Sequence, residues 1–284
     1  MTNIAILLAT YNGEKYIREQ LDSLLAQTCQ DWHLYVHDDG SRDATVALVR
    51  DYVNHYPDKI TILDYPPTGG PCNNFLSLMR RVEARYYMFC DQDDVWQPEK
   101  IELSLRELEK IERLNPEKGI AVYTDLTIVD EHLAPLSASM WEHSGVYPQH
   151  LRTFADCGGH TVIATGCAMM FNDRAKKCCD FPADKALMHD IWVCLCVLRC
   201  GGVLKGIGEK TVLYRQHGSN TLGATGLAAS RVGVRYRLLH LKKVFNSNRN
   251  YYAMLASLGY GSWLKYVMAK IRYKRRIMKI PKNS

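Results

Sequence analysis

Apolar residues in the first 110 positions fall into two alternating patterns. Short β-rich runs at residues 4–9, 32–37, 60–63 and 86–90 read as strands. Between them, Ile17, Leu21, Leu24 and Leu25, then Val46, Val49 and Val53, then Phe75, Leu78, Met79 and Val82 recur at helical spacing. A strand feeding a crossover helix, repeated, predicts βαβ units in a mostly parallel sheet, an α/β fold. Pro98 stands where a first-turn proline belongs, and Ile101, Leu105, Leu108 and Ile111 carry a fourth helix to Asn115-Pro116.

Beyond residue 119 the pattern is mixed. Residues 120–129 and 161–171 read as strands, 189–200 as a buried helix ended by Gly201-Gly202, and 203–205 and 211–214 as short strands. Residues 218–230, rich in Gly, Ala, Ser and Thr without periodicity, read as a loop or linker. This predicts a domain over residues 1–220 and a loop with a basic helical extension over 221–284.

Composition sets limits on this picture. With 284 residues, 47% apolar and 23% charged, the chain is of ordinary globular type, which excludes disorder and collagen. Its longest apolar run, residues 191–198, falls far short of the roughly 20 residues that span a bilayer. The run at residues 4–9 is too short for a signal-peptide core, so a cytoplasmic protein is expected. Ten cysteines form no CxxC pair and no zinc spacing, which predicts small buried hydrophobes in a reducing compartment.

Charge divides the chain. All 30 acidic residues lie at or before Glu209, whereas 16 of the 36 Lys and Arg follow it, so residues 1–209 carry −10 and residues 210–284 carry +16. Such a tail is either a solvated basic face or the contact for an anionic partner. Leu264, Val267, Met268 and Ile271 share a helical stripe flanked by Lys265, Lys270 and Arg272, an interfacial pattern that favours an anionic membrane surface. Nucleic acid is disfavoured by the acidic first 209 residues.

Ligands of open α/β sheets gather beyond the carboxyl ends of the strands. There the chain carries Thr10-Tyr11-Asn12-Gly13, Asp38-Asp39-Gly40-Ser41-Arg42-Asp43 and Asp91-Gln92-Asp93-Asp94. Helix capping accounts for one carboxylate per turn. It does not account for Asp38, Asp39, Asp91, Asp93 and Asp94 on one edge, where repulsion is costly unless a cation or hydrogen-bonding ligand offsets it. Neither GxGxxG after the first strand nor GxxxxGK[ST] anywhere is present, which disfavours a Rossmann dehydrogenase and a P-loop NTPase. Carboxylates after a strand suit Mg²⁺ bridging to substrate phosphates, hence a nucleotide diphosphate.

Residues 9–13, Asp38-Asp39-Gly40-Ser41, and Asp91-Gln92-Asp93-Asp94 with Trp96 and Pro98 resemble the three N-terminal motifs of family 2 inverting glycosyltransferases of the GT-A fold. Met188-His189-Asp190-Ile191-Trp192 resembles that family's catalytic acidic motif, with His in place of the commoner Glu. Residues 214–220, Tyr214-Arg215-Gln216-His217-Gly218-Ser219-Asn220, resemble a C-terminal motif of bacterial rhamnosyltransferase-like members.

The resemblance implies transfer of a sugar, rhamnose favoured, from a nucleotide-diphosphate donor to a hydroxyl of a growing, lipid-linked bacterial surface glycan of O-antigen or capsule type. It implies dTDP-rhamnose first, UDP- or GDP-sugars next, Mg²⁺ or Mn²⁺ as cofactor, and a place on the inner face of the cytoplasmic membrane. Asp190 would be the base, between Met188 and Trp192, which would raise its pKa by desolvation; a helix cap is a compatible reading. Thr10, Tyr11 and Asn12 would line the nucleotide site, Asp39 would accept a base N–H beside Asp38, and Asp91 would face the ribose. Asp93 would hold the metal, His217 the metal or the diphosphate, and Arg215 the diphosphate or a surface ion pair. Asp94 is either a supporting carboxylate or a helix cap. Thr165, Gly166 and Trp192 would face the acceptor; residues 69–75 would bring backbone near the donor or form a turn; Trp141, His143 and Tyr147 would form a sugar-stacking loop. A sugar-phosphate nucleotidylyltransferase is the rival of similar chemistry, but the first strand lacks its glycine-rich basic loop.

Overall fold

A computed structural model describes residues 2–145, 148–159, 164–218 and 241–277. Strands β1 (Thr2–Thr10), β2 (Trp32–Asp38), β3 (Ile60–Ile62) and β4 (Ala84–Cys90) pair in parallel. Helices α1 (Ile17–Leu25), α2 (Thr45–His55) and α3 (Pro71–Arg81) connect them, as the alternating periods predict. Then follow β5 (Val95–Trp96), α4 (Lys100–Leu114), β6 (Ile120–Val129), β7 (Pro135–Ser137), α5 (Met140–Ser144), β8 (Met169–Asn172), α6 (Asp173–Lys177), α7 (His189–Arg199) and β9 (Val203–Arg215). Two helices close the described chain, α8 (Leu241–Ser257) and α9 (Trp263–Ile277).

One nine-stranded sheet runs β3-β2-β1-β4-β8-β6-β9-β5, with β7 paired to β6. It is mixed, not mostly parallel, because β8 enters antiparallel between β4 and β6. The strand expected over 161–171 is therefore shorter: residues 161–163 lie outside the described residues, and Gly166–Ala168 form a 3₁₀ turn before β8. The two short strands expected after residue 203 are one, β9, whose register on β6 slips where Thr124 faces Ile207 and Asp125 faces Lys210. The extra β9 residues bulge out at Gly208-Glu209, a break that reads from sequence as a gap between strands.

Successive side chains of β1 enter opposite cores, as strand alternation requires. Ile4, Ile6 and Leu8 meet Leu21 and Leu24 of α1, Val49 of α2, and Ile101 and Leu108 of α4. Ala5 and Leu7 meet Phe75 and Leu78 of α3 and Val193 and Val197 of α7. This second core extends to the C-terminal helices: Tyr251, Met254 and Leu255 share one face of α8 and are buried with Leu258 just past its end and with Tyr260 and Tyr266. The Tyr251 hydroxyl donates to the Cys157 carbonyl (3.1 Å) and that of Tyr260 to the Ala155 carbonyl (2.9 Å). Most of the expected linker, residues 219–230, lies outside the described residues, as do Ser219 and Asn220.

Candidate active site

The carboxyl ends of β1 and β4 open into a cleft of about 1070 Å³, bounded also by the loop before α3, by Thr165-Gly166, by the start of α7 and by the end of β9. Thr10, Tyr11, Asn12, Asp39, Asp91, Asp93, Thr165, Gly166, Asp190 and His217 line it. Sequence-predicted residues spread along the chain from Thr10 to His217 thus meet in one cavity.

An amide clamp joins the two strand ends. Gln92 accepts from the Tyr11 N–H and donates to the Tyr11 carbonyl, both at 2.9 Å. A Cβ on Gly13 would overlap the Gln92 Oε1, so the clamp requires glycine there. Gln92 is the site residue that motif reading passed over, and its signal is its place between three carboxylates.

Asp38 and Asp39 divide their work. Asp38 accepts from the Thr10 hydroxyl (2.8 Å), the Ser41 hydroxyl (2.5 Å) and the Gly40 and Ser41 N–H groups. It builds the turn and does not line the cleft. Asp39 accepts from the N–H groups of Thr68, Gly69 and Gly70, the last at 2.6 Å, which tie down the loop before α3. These donors hold its carboxyl below the usual range, although burial opposes them most. Gly69, Gly70, Pro71, Asn74 and Phe75 line the cleft, with Gly70 as the N-cap of α3.

The acidic run after β4 splits by depth. Asp91 and Asp93 face the cleft, whereas Asp94 is fully buried behind it. Burial, followed by the charges of Asp93 and Asp190, pushes the Asp91 carboxyl up. Burial, followed by Asp93 and Asp91, pushes Asp94 well up. Asp94 is not a helix cap, since α4 starts after Glu99; its Oδ1 accepts from the Arg215 N–H (3.0 Å), and it supports β9 from behind. The His217 Nε2 lies 2.8 Å from the Asp93 Oδ2, and its ring packs 4.7 Å from that of Tyr16.

Arg215 does not face the diphosphate side. It is 2% exposed and outside the cleft lining. Its guanidinium donates to the Asp93 carbonyl (2.8 Å), the Glu131 carbonyl (2.7 Å) and the Glu19 carboxylate (2.6 Å), and it lies over the Tyr16 ring. Burying a guanidinium requires such a full set of partners, so Arg215 is a bolt that fixes Asp93 and the end of β9.

Asp190 stands in the first turn of α7, whose N-cap is Met188. Its Oδ2 accepts from the Gly166 N–H (3.0 Å) and its Oδ1 from the Ile191 N–H (2.7 Å). These bonds favour the carboxylate, but burial outweighs them and raises its pKa to about 6. Trp192 is not on the acceptor side: it is 1% exposed in the core and does not line the cleft, because its place in α7 turns it inward. The expected stacking loop is not one either. Trp141 and His143 lie in α5 outside the cleft lining, with Trp141 edge-on to Tyr123, and Tyr147 lies outside the described residues.

His189 packs between Phe75 (4.0 Å) and Phe89 (4.6 Å), and burial lowers its pKa to about 3, so it is neutral beside Asp190. A Cβ on Gly166 would lie 2.5 Å from the His189 Nε2. Gly166→Ala is therefore expected to cost about 1–3 kcal/mol of stability and to displace the N–H that orients Asp190. Unfolding curves and transfer rates check this; a variant unchanged in both would show that the neighbouring imidazole yields freely.

Residues 5–177 match the family described as glycosyl transferase family 2. The chain belongs to that family. It is 33% identical over 129 residues to an uncharacterized glycosyltransferase of Rickettsia prowazekii, covering 45% of this chain and 37% of that one. It is 39% identical over 98 residues to the dTDP-rhamnosyl transferase RfbG of Shigella flexneri, covering 33% of this chain and 34% of that one. The chain thus spans about a third of the length of these relatives. Among solved structures, mannosyltransferase PcManGT from Pyrobaculum calidifontis, in complex with GDP-Man and Mn²⁺, superposes with a TM-score of 0.58 at 15% identity, over 95% of this chain and 87% of that one. The fold is of the GT-A type.

In this family 2 chain the residues present fit a divalent cation. Asp91 and Asp93 offer anionic oxygens to the cleft, and the Asp91 carboxyl, raised by burial and then by the charge of Asp93, is a group whose ionised form a bound cation would favour. Asp91, Asp94 and Cys167 also bring ligand atoms within 4.8 Å of one another. That grouping is the poorer cradle, because Asp94 and Cys167 lie behind the cleft lining and a thiol is too soft for Mg²⁺. Among the described residues no helix is long and apolar enough to cross a membrane.

Proposed function

We propose that the chain is an inverting glycosyltransferase that moves a sugar, rhamnose favoured, from a nucleotide-diphosphate donor to a hydroxyl of a lipid-linked bacterial surface glycan. The observation that carries this reading is Asp190, a carboxylate raised to about 6 in the same cleft as Asp91 and Asp93. Near neutral pH such a group is ionised yet basic enough to take a proton. As the acceptor oxygen attacks the anomeric carbon, its proton passes to Asp190, and the sugar–phosphate bond breaks with its electron pair leaving on the nucleoside diphosphate. Mg²⁺ or Mn²⁺ held by Asp91 and Asp93, with His217 beside Asp93, would supply positive charge against the diphosphate. The neutral His189 and the Phe75 ring give the space beside the base a weakly polar wall.

The similarity to RfbG supports dTDP-rhamnose as the first donor to test, with UDP- and GDP-sugars next. The acceptor we propose is membrane-borne, which would place the enzyme peripherally on the inner face of the cytoplasmic membrane. The test is incubation with each nucleotide sugar and Mg²⁺ or Mn²⁺, with slow donor hydrolysis as the signal. Release of nucleoside diphosphate from none of them would sink the reading.

The pKa of Asp190 has a kinetic consequence. Its basic form is lost as pH falls through about 6, so transfer should drop about tenfold per pH unit below that point and level off above it. Rates at saturating donor between pH 5 and 8 check this; a flat profile would remove Asp190 as the base.

A further inference from the structure

The C-terminal helices bury one face and leave another open. Phe245, Trp263, Leu264, Met268 and Ile271 stand exposed on α8 and α9, half of all the large apolar side chains exposed among the described residues. Leu264, Met268 and Ile271 follow a spacing of four and three, so they form one stripe on α9, opposite the buried Tyr266. Trp263 borders the stripe, and the Phe245 ring lies 6.3 Å from it, which extends the patch onto α8. Exposed Lys265 and Arg272 flank the stripe, and exposed Arg275 continues it. No acidic residue occurs anywhere after Glu209.

An apolar stripe alone would not identify its partner. Cations on a segment that carries no acidic residue of its own do, because such a face is complementary to a surface that is both apolar beneath and negative at its boundary. We propose that the outer face of α8 and α9 docks the enzyme on an anionic lipid bilayer, with Leu264, Met268 and Ile271 entering the headgroup boundary and Lys265, Arg272 and Arg275 meeting lipid phosphates.

The inner side of α9 ties this face to the site. It packs on residues 154–159, so closely that a Cβ on Gly158 would lie 3.0 Å from the Ala269 Cβ and one on Gly159 2.6 Å from the Tyr273 Cβ. That segment leads along the chain to Thr165-Gly166 at the cleft. Docking through α9 would keep the enzyme, and with it the cleft, at the surface where a membrane-borne acceptor resides. Only this last link rests on the glycosyltransferase reading; the docking itself does not.

Truncation is a poor test, because Tyr251, Met254, Leu255 and Tyr266 belong to the core. The exposed residues are the better target. The full chain is sedimented with phosphatidylcholine vesicles, with and without phosphatidylglycerol, beside a Leu264→Ser/Met268→Ser/Ile271→Ser variant and a Lys265→Gln/Arg272→Gln/Arg275→Gln variant. Binding should require phosphatidylglycerol and fall about a hundredfold in the charge variant, as removing three cations from an anionic surface would give. It should fall at least about tenfold in the apolar variant, with the unfolding temperature unchanged in both. Equal binding to neutral vesicles, or no binding at all, would overturn the proposal. So would tight binding to duplex DNA, indifferent to the apolar variant, in place of vesicle binding. Slow donor hydrolysis needs no acceptor and should be the same in all three proteins, so its absence from all three would count against the enzymatic reading and not against docking.

Discussion

Asp190→Asn is expected to cut transfer by about 10²- to 10⁴-fold, or about 3–5 kcal/mol of barrier, while donor affinity stays within a few fold. The amide occupies the same space and can keep the Gly166 N–H as a donor to its oxygen. It cannot take the acceptor proton. The loss should therefore fall on the transition state and not on ground-state binding. Asp190 also contributes negative charge near Asp91, so the neutral variant should bring the Asp91 pKa down slightly, leaving the metal side intact. The experiment is donor calorimetry with Mn²⁺ beside the transfer rate to a competent acceptor. Wild-type transfer would remove Asp190 from the chemistry, and a proportional loss of donor binding would move it into the nucleotide-sugar site.

The N-terminal half of the fold is legible in sequence because its signals are local. The strands of β1 to β4 alternate with helices whose stripes are interrupted by polar residues, so period and boundary coincide. Residues 161–171 mislead for the opposite reason: an apolar run carries no period, and the Gly166 N–H that a longer strand would give to a ladder goes to Asp190. The tail misleads through its charge. Sixteen cations suggest a detached extension, yet Tyr251, Met254, Leu255 and Leu258 recur at i, i+3, i+4 and i+7 and dock α8 on the core.

Within the site, motifs indicate which residues gather, but not which side chain is already engaged. Asp38 and Asp39 are adjacent and alike in sequence, yet one closes its own turn and the other anchors a loop 29 to 31 positions away. Arg215 reads as a ligand for phosphate until Glu19, Asp93 and Glu131 are seen to surround it. Side-chain depth is a tertiary property, and no spacing rule encodes it. The same holds for Asp93 and Asp94, neighbours of which one meets solvent and the other does not.

That difference makes Asp93 the residue to alter. Asp93→Asn should lower metal-dependent donor binding and turnover by about a hundredfold or more, since a hard cation loses its anionic oxygen. The fold should survive and even gain. In the metal-free protein Asp93 adds a negative charge beside Asp91 and Asp94, whose carboxyls are raised by burial first and by this repulsion next, so the neutral variant relieves the second part. The imidazole of His217 can still bond to the amide, and Arg215 holds the Asp93 backbone and not its side chain. Thermal unfolding with and without Mn²⁺ separates the two effects. Wild type should rise with added Mn²⁺ because the cation binds the folded state alone. The variant should start at or above the metal-free wild type and respond little. Near-wild-type turnover at the same metal concentration would show that the cation, if used, sits elsewhere, and an Asp93→Asn protein that unfolds early would mean its carboxylate is structural.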